Sequence, residues 1–186
     1  MLSTTEFRRG LKIEMDGEPF LMLEFQHVKP GKGGAFVRTK LKSLITGNVI
    51  DRTFKSGDKV DKPDLEEKEM QFLYKDGDDY YFMDNVSYEQ QFINVSQLQG
   101  TQDFLQENGQ VTVLFHNQKP IAVELANFVE LTIAKTDPGV KGDTAAGGTK
   151  PAVLETGATI LVPLFIKEGE KIRIDTRTGE YAERVK

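Results

Sequence analysis

Hydrophobic residues alternate with polar ones in several short stretches of this chain, whereas long stretches with helical spacing are scarce. The alternation is found at residues 11–15, 111–115, 129–133 and 172–174. A period of two is typical of strands that bury one face. The sequence therefore predicts many short strands, no long helix, and one short helix near residues 96–98.

Turn signals separate these stretches. Asp16-Gly17, Asp76-Gly77 and Asn108-Gly109 are dipeptides that tolerate the positive φ angles of a tight hairpin, and Thr46-Gly47 and Thr178-Gly179 are weaker signals of the same kind. Many short strands with glycine-bearing turns favour small antiparallel barrels over a layered α/β sheet. The predicted fold class is all-β.

Two polar stretches mark boundaries within the 186 residues, a length that allows one large domain or several small ones. Residues 59–64 include a proline and are interpreted as a linker. Residues 137–150 contain four glycines and are long enough to be a functional loop inside a domain that begins near Phe128.

The net charge of −5, taken as one number, argues against a nucleic-acid partner. Residues 1–62, however, hold 12 Lys/Arg against 8 Asp/Glu, residues 63–128 hold 3 against 12, and residues 129–186 hold 9 against 9. The N-terminal third is basic and the acid is concentrated in the middle. An RNA partner therefore fits the N-terminal third.

Several kinds of chemistry are excluded by composition. Cysteine is absent, which rules out disulfides, thiolate nucleophiles and iron–sulfur clusters, and two histidines are too few for a multi-histidine metal site. The longest nearly apolar run, residues 158–166, is too short to span a bilayer, and the first six residues lack the features of a secretory signal. We expect a cytosolic protein with no metal and no membrane partner.

The most unusual local sequence is residues 27–42, which contain five Lys/Arg and no acidic residue. Within it Lys32 lies between Pro30-Gly31 and Gly33-Gly34. Flanking glycines remove side-chain bulk and permit left-handed backbone, so the loop can hold one cationic side chain at its tip. A Schiff-base lysine needs a desolvated pocket, which this loop does not offer. We interpret Lys32 as a phosphate contact or a target for a modifying enzyme, with a solubilising turn lysine as the simpler alternative.

A basic strand is predicted directly after the loop. Arg38, Lys40 and Lys42 alternate with more apolar residues, which puts the three cations on one face about 6–7 Å apart. Together with Lys29 and Lys32 they are candidates for contact with an RNA backbone. The alternative is a strand face that is simply solvated.

Three consecutive aromatic residues, Tyr80, Tyr81 and Phe82, suit stacking on nucleobases. Because consecutive strand residues point to opposite faces, at least one of them is expected in a core. No nucleophile–base pair or paired carboxylates can be recognised in the sequence, so a function without catalysis is predicted.

Two long motifs resemble those of one known family. Residues 27–36 (HVKPGKGGAF) look like the modified loop of the bacterial elongation factor P family, and residues 150–169 (KPAVLETGATILVPLFIKEG) are similar to its C-terminal signature. The similarity extends along essentially the whole chain. In the second motif the matching positions are Lys150, Ala152, Gly157, Ile160, Val162-Pro163, Ile166 and Gly169.

The resemblance implies three domains: an SH3-like (KOW-like) barrel at residues 1–63 that carries the Lys32 loop, a central OB barrel at 64–128, and a C-terminal OB barrel at 129–186. It implies an L-shaped, tRNA-like arrangement. It also implies a monomeric translation factor, not an enzyme, that binds the 70S ribosome between the peptidyl and exit sites and relieves stalling at consecutive prolines.

Residue roles follow from the same resemblance. Lys32 occupies the position that reaches the CCA end of the peptidyl-site tRNA and that a dedicated enzyme extends in many relatives, so covalent modification and no cofactor are expected. Tyr181 and Arg184 match C-terminal positions that face tRNA. Two further groups are a loop-shaping set, Pro30, Gly31, Gly33 and Gly34, and a loop near the exit-site codon, Gly142, Asp143 and Thr144.

Three alternatives remain. A generic OB-fold RNA-binding protein or RNA chaperone would act away from the ribosome, although the acidic middle of the chain argues against it. The eukaryotic and archaeal relative whose lysine becomes hypusine has two domains, whereas this chain has material for a third. An enzyme would use Lys32 to form an imine.

Overall fold

The chain is described here by a computed structural model that covers residues 1–139 and 148–186. Antiparallel strands in barrel-like sheets dominate these residues, which confirms the all-β prediction. The chain divides into two compact units, residues 1–67 with 114–122 and residues 68–113 with 123–186. The division into three domains stays a prediction. No helix in the described part of the chain is long and apolar enough to cross a membrane.

Six strands occupy the N-terminal third. They are β1 (Leu2–Ser3), β2 (Lys12–Met15), β3 (Glu18–Val28), β4 (Phe36–Ser43), β5 (Val49–Lys55) and β6 (Lys59–Val60), with a 3₁₀ helix at Thr4–Glu6. Strands β2 to β5 form one sheet in chain order, and β1 pairs with β6. All pairs are antiparallel.

The core of this region is formed by alternate residues of these strands. Ile13, Met22 and Leu41 are fully buried, and the rings of Phe7 and Phe54 meet edge to face with centroids 5.2 Å apart. Burial of such side chains is the main favourable contribution to folding. The alternation predicted at residues 11–15 is therefore confirmed on β2.

The middle of the chain forms a five-stranded sheet. Its elements are β7 (Leu65–Asp76), β8 (Asp79–Asp84), β9 (Gln90–Asn94), α1 (Val95–Leu98), a 3₁₀ helix (Thr101–Phe104), β10 (Gln110–His116) and β11 (Lys119–Glu124). The strand order is β11-β10-β7-β8-β9. The short predicted helix is confirmed as α1, whose first turn is capped by the Asn94 side chain accepting from the Ser96 N–H at 3.1 Å.

The C-terminal part forms a second five-stranded sheet. Its strands are β12 (Phe128–Thr136), β13 (Thr149–Leu154), β14 (Thr159–Pro163), β15 (Lys171–Asp175) and β16 (Glu180–Arg184). The order is β14-β13-β12-β15-β16. Leu131, Ile133, Ile172 and Ile174 lie in its core, as the alternation predicts.

Within the second compact unit, the 3₁₀ helix at Thr101–Phe104 is fixed to the C-terminal sheet. Phe104 packs against the core cluster of that sheet, and the Thr156 hydroxyl donates to the Asp103 carbonyl at 2.6 Å. A Cβ at Gly179 would lie 3.5 Å from the Phe104 ring. These contacts help to explain why residues 68–113 and 123–186 form one compact unit.

The predicted turns are partly correct. Asp16-Gly17 joins β2 to β3 with positive φ at both residues, as predicted. The turn expected at Asp76-Gly77 lies one residue later, because Asp76 still pairs with Asp79 in the ladder. Asn108 has the predicted positive φ, but its turn connects the 3₁₀ helix to β10 and not two strands.

The turn between β8 and β9 is organised by one carboxylate. Asp84 accepts hydrogen bonds from the N–H groups of Val86 at 2.7 Å and Ser87 at 3.2 Å, and the Lys68 ammonium lies 3.9 Å away. These backbone hydrogen bonds, assisted by Lys68, lower the pKa of Asp84 below its usual value.

We expect Asp84→Asn to have a lower free energy of unfolding than the parent at about pH 7. The difference in free energy should become smaller as the pH falls below about 4. A lowered pKa in the folded protein means that the unfolded chain takes up the proton first. The stabilisation is therefore complete above the unfolded pKa and is lost as pH falls through the folded pKa. Denaturant unfolding at the two pH values measures this, with exposed Glu107→Gln as the control. The same difference at both pH values would contradict it.

Candidate nucleic-acid interface

Residues 29–35 form the loop that joins β3 to β4 and carries Lys32 at its centre. The ladder ends with Val28 opposite Phe36, so seven residues remain between the strands. The Ser56 N–H donates to the Ala35 carbonyl at 2.9 Å and fixes the base of the loop. The Lys32 side chain is exposed and forms no ion pair with any carboxylate of the described residues. The loop therefore presents its cation to solvent.

The three loop glycines differ in what they contribute. Gly33 has φ +103°, in the left-handed region, and a Cβ there would lie 4.0 Å from the Pro30 ring. Gly31 and Gly34 lie outside that φ region and have open space where a Cβ would be. The backbone thus requires glycine at Gly33 alone. At the other two positions glycine keeps the loop narrow.

The strand after the loop has the alternation predicted for it. Arg38 is exposed and Lys40 and Lys42 are half-buried, whereas Thr39 and Leu41 between them are buried. The three cations consequently share the outer face of β4. Their contact with an RNA backbone stays a prediction.

Carboxylates interrupt this basic face. The Lys40 ammonium lies 3.7 Å from the Glu24 carboxylate of β3, and Asp51 of β5 is opposite Lys40 on the other side. Arg38 has Gln26 and Thr53 as cross-strand neighbours. Cross-strand carboxylates reduce the positive electrostatic potential that a phosphate would meet at Lys40. Lys40 is therefore a weaker candidate than Arg38 for contact with an RNA backbone.

Arg38 lies next to the loop. Phe36 is the first residue after the loop, and the Arg38 guanidinium carbon lies 5.4 Å from the centre of the Phe36 ring. Lys29 is exposed at the start of the same loop. Lys29, Lys32 and Arg38 are therefore three cations around one loop, an arrangement that suits electrostatic contact with phosphates.

The predicted C-terminal contacts lie in the second compact unit. Tyr181 is half-buried on β16 and packs against the C-terminal core. Arg184 is exposed, with its guanidinium 3.4 Å from the Glu170 carboxylate and 5.9 Å from the centre of the Phe165 ring. The structure thus leaves Arg184 accessible, whereas much of Tyr181 contributes to packing. Gly142, Asp143 and Thr144 lie outside the described residues.

Two buried polar residues were not recognised as special from their residue type. Lys150 is 7% exposed, and its ammonium donates to the Asp137 carbonyl at 2.5 Å. The period of two on β13, which buries Ala152 as well, is the signal that places Lys150 inward. His116 is also buried, with its Nε2 3.6 Å from the Glu14 carboxylate. Among the residues the structure describes, no cluster of metal-ligating side chains occurs.

Family models match three successive stretches of the chain. "Elongation factor P (EF-P) KOW-like domain" matches residues 3–60, "Elongation factor P (EF-P) OB domain" matches residues 65–123, and "Elongation factor P, C-terminal" matches residues 129–184. The first match contains the whole loop with Lys32.

Full-length relatives carry the same name. Elongation factor P of Natranaerobius thermophilus is 57% identical over 186 residues, which cover 100% of this chain and 99% of that protein. Elongation factor P of Moorella thermoacetica is 57% identical over 184 residues, covering 99% of this chain and 100% of that protein.

Solved structures of a more distant kind share the fold. Eukaryotic translation initiation factor 5A from Methanococcus jannaschii aligns with a TM-score of 0.55 at 22% identity, covering 64% of this chain and 88% of that one. A translation initiation factor eIF-5A family protein from Naegleria fowleri aligns with a TM-score of 0.50 at 14% identity, covering 67% of this chain and 96% of that one.

Proposed function

Because this chain belongs to the elongation factor P family, we propose that it binds the ribosome between the peptidyl and exit sites and relieves stalling at consecutive prolines. The family consists of translation elongation factors that associate with the ribosome and are not enzymes.

Lys32 is the residue on which the proposal depends. The observation that supports it is the exposed Lys32 ammonium at the centre of a seven-residue loop, held by paired strands on both sides. In the proposed complex this cation contacts the CCA end of the peptidyl-site tRNA and restricts it to geometries in which the peptide bond forms. Restricting a reactant in this way lowers the entropic part of the barrier. Catalysis itself remains with the ribosome.

Covalent extension of Lys32 by a separate enzyme belongs to the same proposal, because a longer cationic arm reaches further along the tRNA end. The exposed side chain is accessible to such an enzyme. The protein acts as a monomer in the cytoplasm without a cofactor. Arg184, together with the segment that contains Gly142, Asp143 and Thr144, contacts RNA on the exit side.

We expect Lys32→Ala to fold like the parent and to lose its stimulation of translation through Pro-Pro-Pro. The side chain makes no ion pair with the described carboxylates, so its loss leaves the fold intact. A single charge-assisted contact is worth about 1.5–3 kcal/mol, which corresponds to a loss of about tenfold or more in rate. A reconstituted translation assay with a Pro-Pro-Pro message and a proline-free message measures it.

Two further variants make this test specific. Lys62→Ala removes an exposed lysine of the same compact unit outside the loop and should behave like the parent. Lys32→Arg retains the charge but not a modifiable amine, so it separates a need for charge from a need for modification. Full rescue of the Pro-Pro-Pro message by Lys32→Ala would show that the assigned role is wrong.

The basic face of β4 gives a second prediction. Arg38→Gln should weaken ribosome binding, because a phosphate contact is lost. The slope of the logarithm of the binding constant against the logarithm of the salt concentration should become shallower by about one. Lys40→Gln should have a smaller effect, since Glu24 already lies 3.7 Å from that ammonium. Neutral substitutions are preferable to charge reversal, which at Lys40 would place a third carboxylate beside Glu24 and Asp51.

Co-sedimentation with ribosomes at several salt concentrations measures this difference. Lys59→Gln is the matched control, because Lys59 is an exposed cation of the same compact unit on β6, outside the four-stranded sheet that carries Arg38. If Arg38→Gln retained the affinity and salt slope of the parent, the outer face of β4 would be a solvated surface and not an RNA contact.

A further inference from the structure

Three aromatic side chains form a row across β7, β8 and β9 in the second compact unit. Tyr74 is the cross-strand partner of Tyr81, and Tyr81 is the partner of Phe92. The rings of Tyr74 and Tyr81 are stacked, with centroids 4.7 Å apart and planes at 13°, and Phe92 lies 6.0 Å from Tyr81. Tyr74 is 45% exposed and Phe92 is 58% exposed. We call these three residues the aromatic row.

A β-bulge places the row on the surface. Phe72 pairs with Phe82 and both are buried, so strict alternation would also turn Tyr74 inward. The register shifts between Phe72 and Tyr74, which inserts Leu73 and points Tyr74 outward beside Tyr81. Three large rings lined up on a solvent-exposed face are more than scattered surface hydrophobics and indicate an interaction surface.

Negative charge borders the aromatic row on one side. The next cross-strand row consists of Asp76, Asp79 and Asn94, and Asp78 lies in the adjoining turn. The carboxylates of Asp76 and Asp79 make the electrostatic potential beside the rings negative. Burial is the main cause that raises the pKa of Tyr81, followed by its neighbours Tyr74, Asp76 and Asp79.

On β8, β9 and the part of β7 from residue 69 onwards, all of them described by the structure, no cation lies on this face to bind a phosphate. Within residues 69–94, all of which the structure describes, Lys75 is the only Lys or Arg. Lys75 pairs with the inward-pointing Tyr80, and its ammonium lies 5.5 Å from the Tyr80 ring centre, away from the row. An RNA strand stacked on the aromatic row would bring its phosphates towards Asp76 and Asp79 without neutralisation.

We propose that the aromatic row, together with Asp76 and Asp79, binds an arginine-bearing segment of a basic protein. A guanidinium is planar and weakly hydrated, so it stacks on an aromatic face and pairs with a carboxylate at the same time. The excess of 12 Asp/Glu over 3 Lys/Arg in residues 63–128 would also steer a basic partner towards this region. The row belongs to the second compact unit and the Lys32 loop to the first, and the proposed role of the row does not depend on that loop.

The test uses the full chain labelled with ¹⁵N and three probes: a peptide of alternating arginine and glycine, its lysine counterpart, and oligouridylate. The arginine peptide should shift the amide signals of β7, β8 and β9 around the row in a saturable way. The lysine peptide should bind about two- to fivefold more weakly, because it lacks the stacking contribution of the guanidinium.

Variants locate the binding on the aromatic row. Phe92→Ala should weaken the arginine peptide by about two- to fivefold, and Asp76→Asn should weaken it in the same direction. The matched control is Phe165→Ala, because Phe165 is 59% exposed against 58% for Phe92 and lies in the turn after β14 of the same unit. This control should bind like the parent.

Three outcomes would overturn the proposal. Oligouridylate binding to the row more tightly than the arginine peptide would make the row an RNA surface. Equal affinity of Phe92→Ala and the parent would show that the peptide binds elsewhere. Absence of saturable shifts with the arginine peptide would show that the row does not bind this class of partner.

Discussion

The antiparallel pairing of β3 with β4 is the constraint on which the candidate site depends. Eight paired positions connect these strands, from Phe20 opposite Ser43 to Val28 opposite Phe36. A slip of one residue would turn buried Leu41 to solvent and Arg38 into the core, so the core fixes the register. The same register fixes the length of the loop and the position of Lys32 at its centre. A rigid pair of strands thus supports an exposed cation.

How far the sequence predicts the structure depends on whether a strand is regular. Leu131 and Ile133 of β12 and Ile172 and Ile174 of β15 are all buried, because the pairing between β12 and β15 runs without a register shift and the bulge in β12 comes only after Ile133. The position of Lys32 in an exposed, glycine-flanked loop was also predictable, since local chemistry specifies it. The same holds for the shared face of the cations on β4.

Bulges account for much of what the sequence does not reveal. Glu24 and Tyr74 each follow a buried residue, Met22 and Phe72, at a spacing of two, so alternation alone assigns both inward. One extra residue in each strand turns them outward instead, which brings Glu24 beside Lys40 and Tyr74 beside Tyr81. Both pairs form only because the register between two strands brings residues that are distant in the sequence side by side. The sequence therefore predicted the three cations of β4 without Glu24, and it indicated Tyr81 as a stacking residue without Tyr74 and Phe92.

The central claim is that the Lys32 loop contacts the CCA end of peptidyl-site tRNA. Cryo-electron microscopy of ribosomes stalled at Pro-Pro-Pro with this protein bound tests it most directly. We expect continuous density from residues 29–35 to the CCA end, with the Lys32 side chain or its extension within hydrogen-bonding distance of the tRNA, about 3 Å. A bound protein whose loop points away from the peptidyl-site tRNA would contradict it.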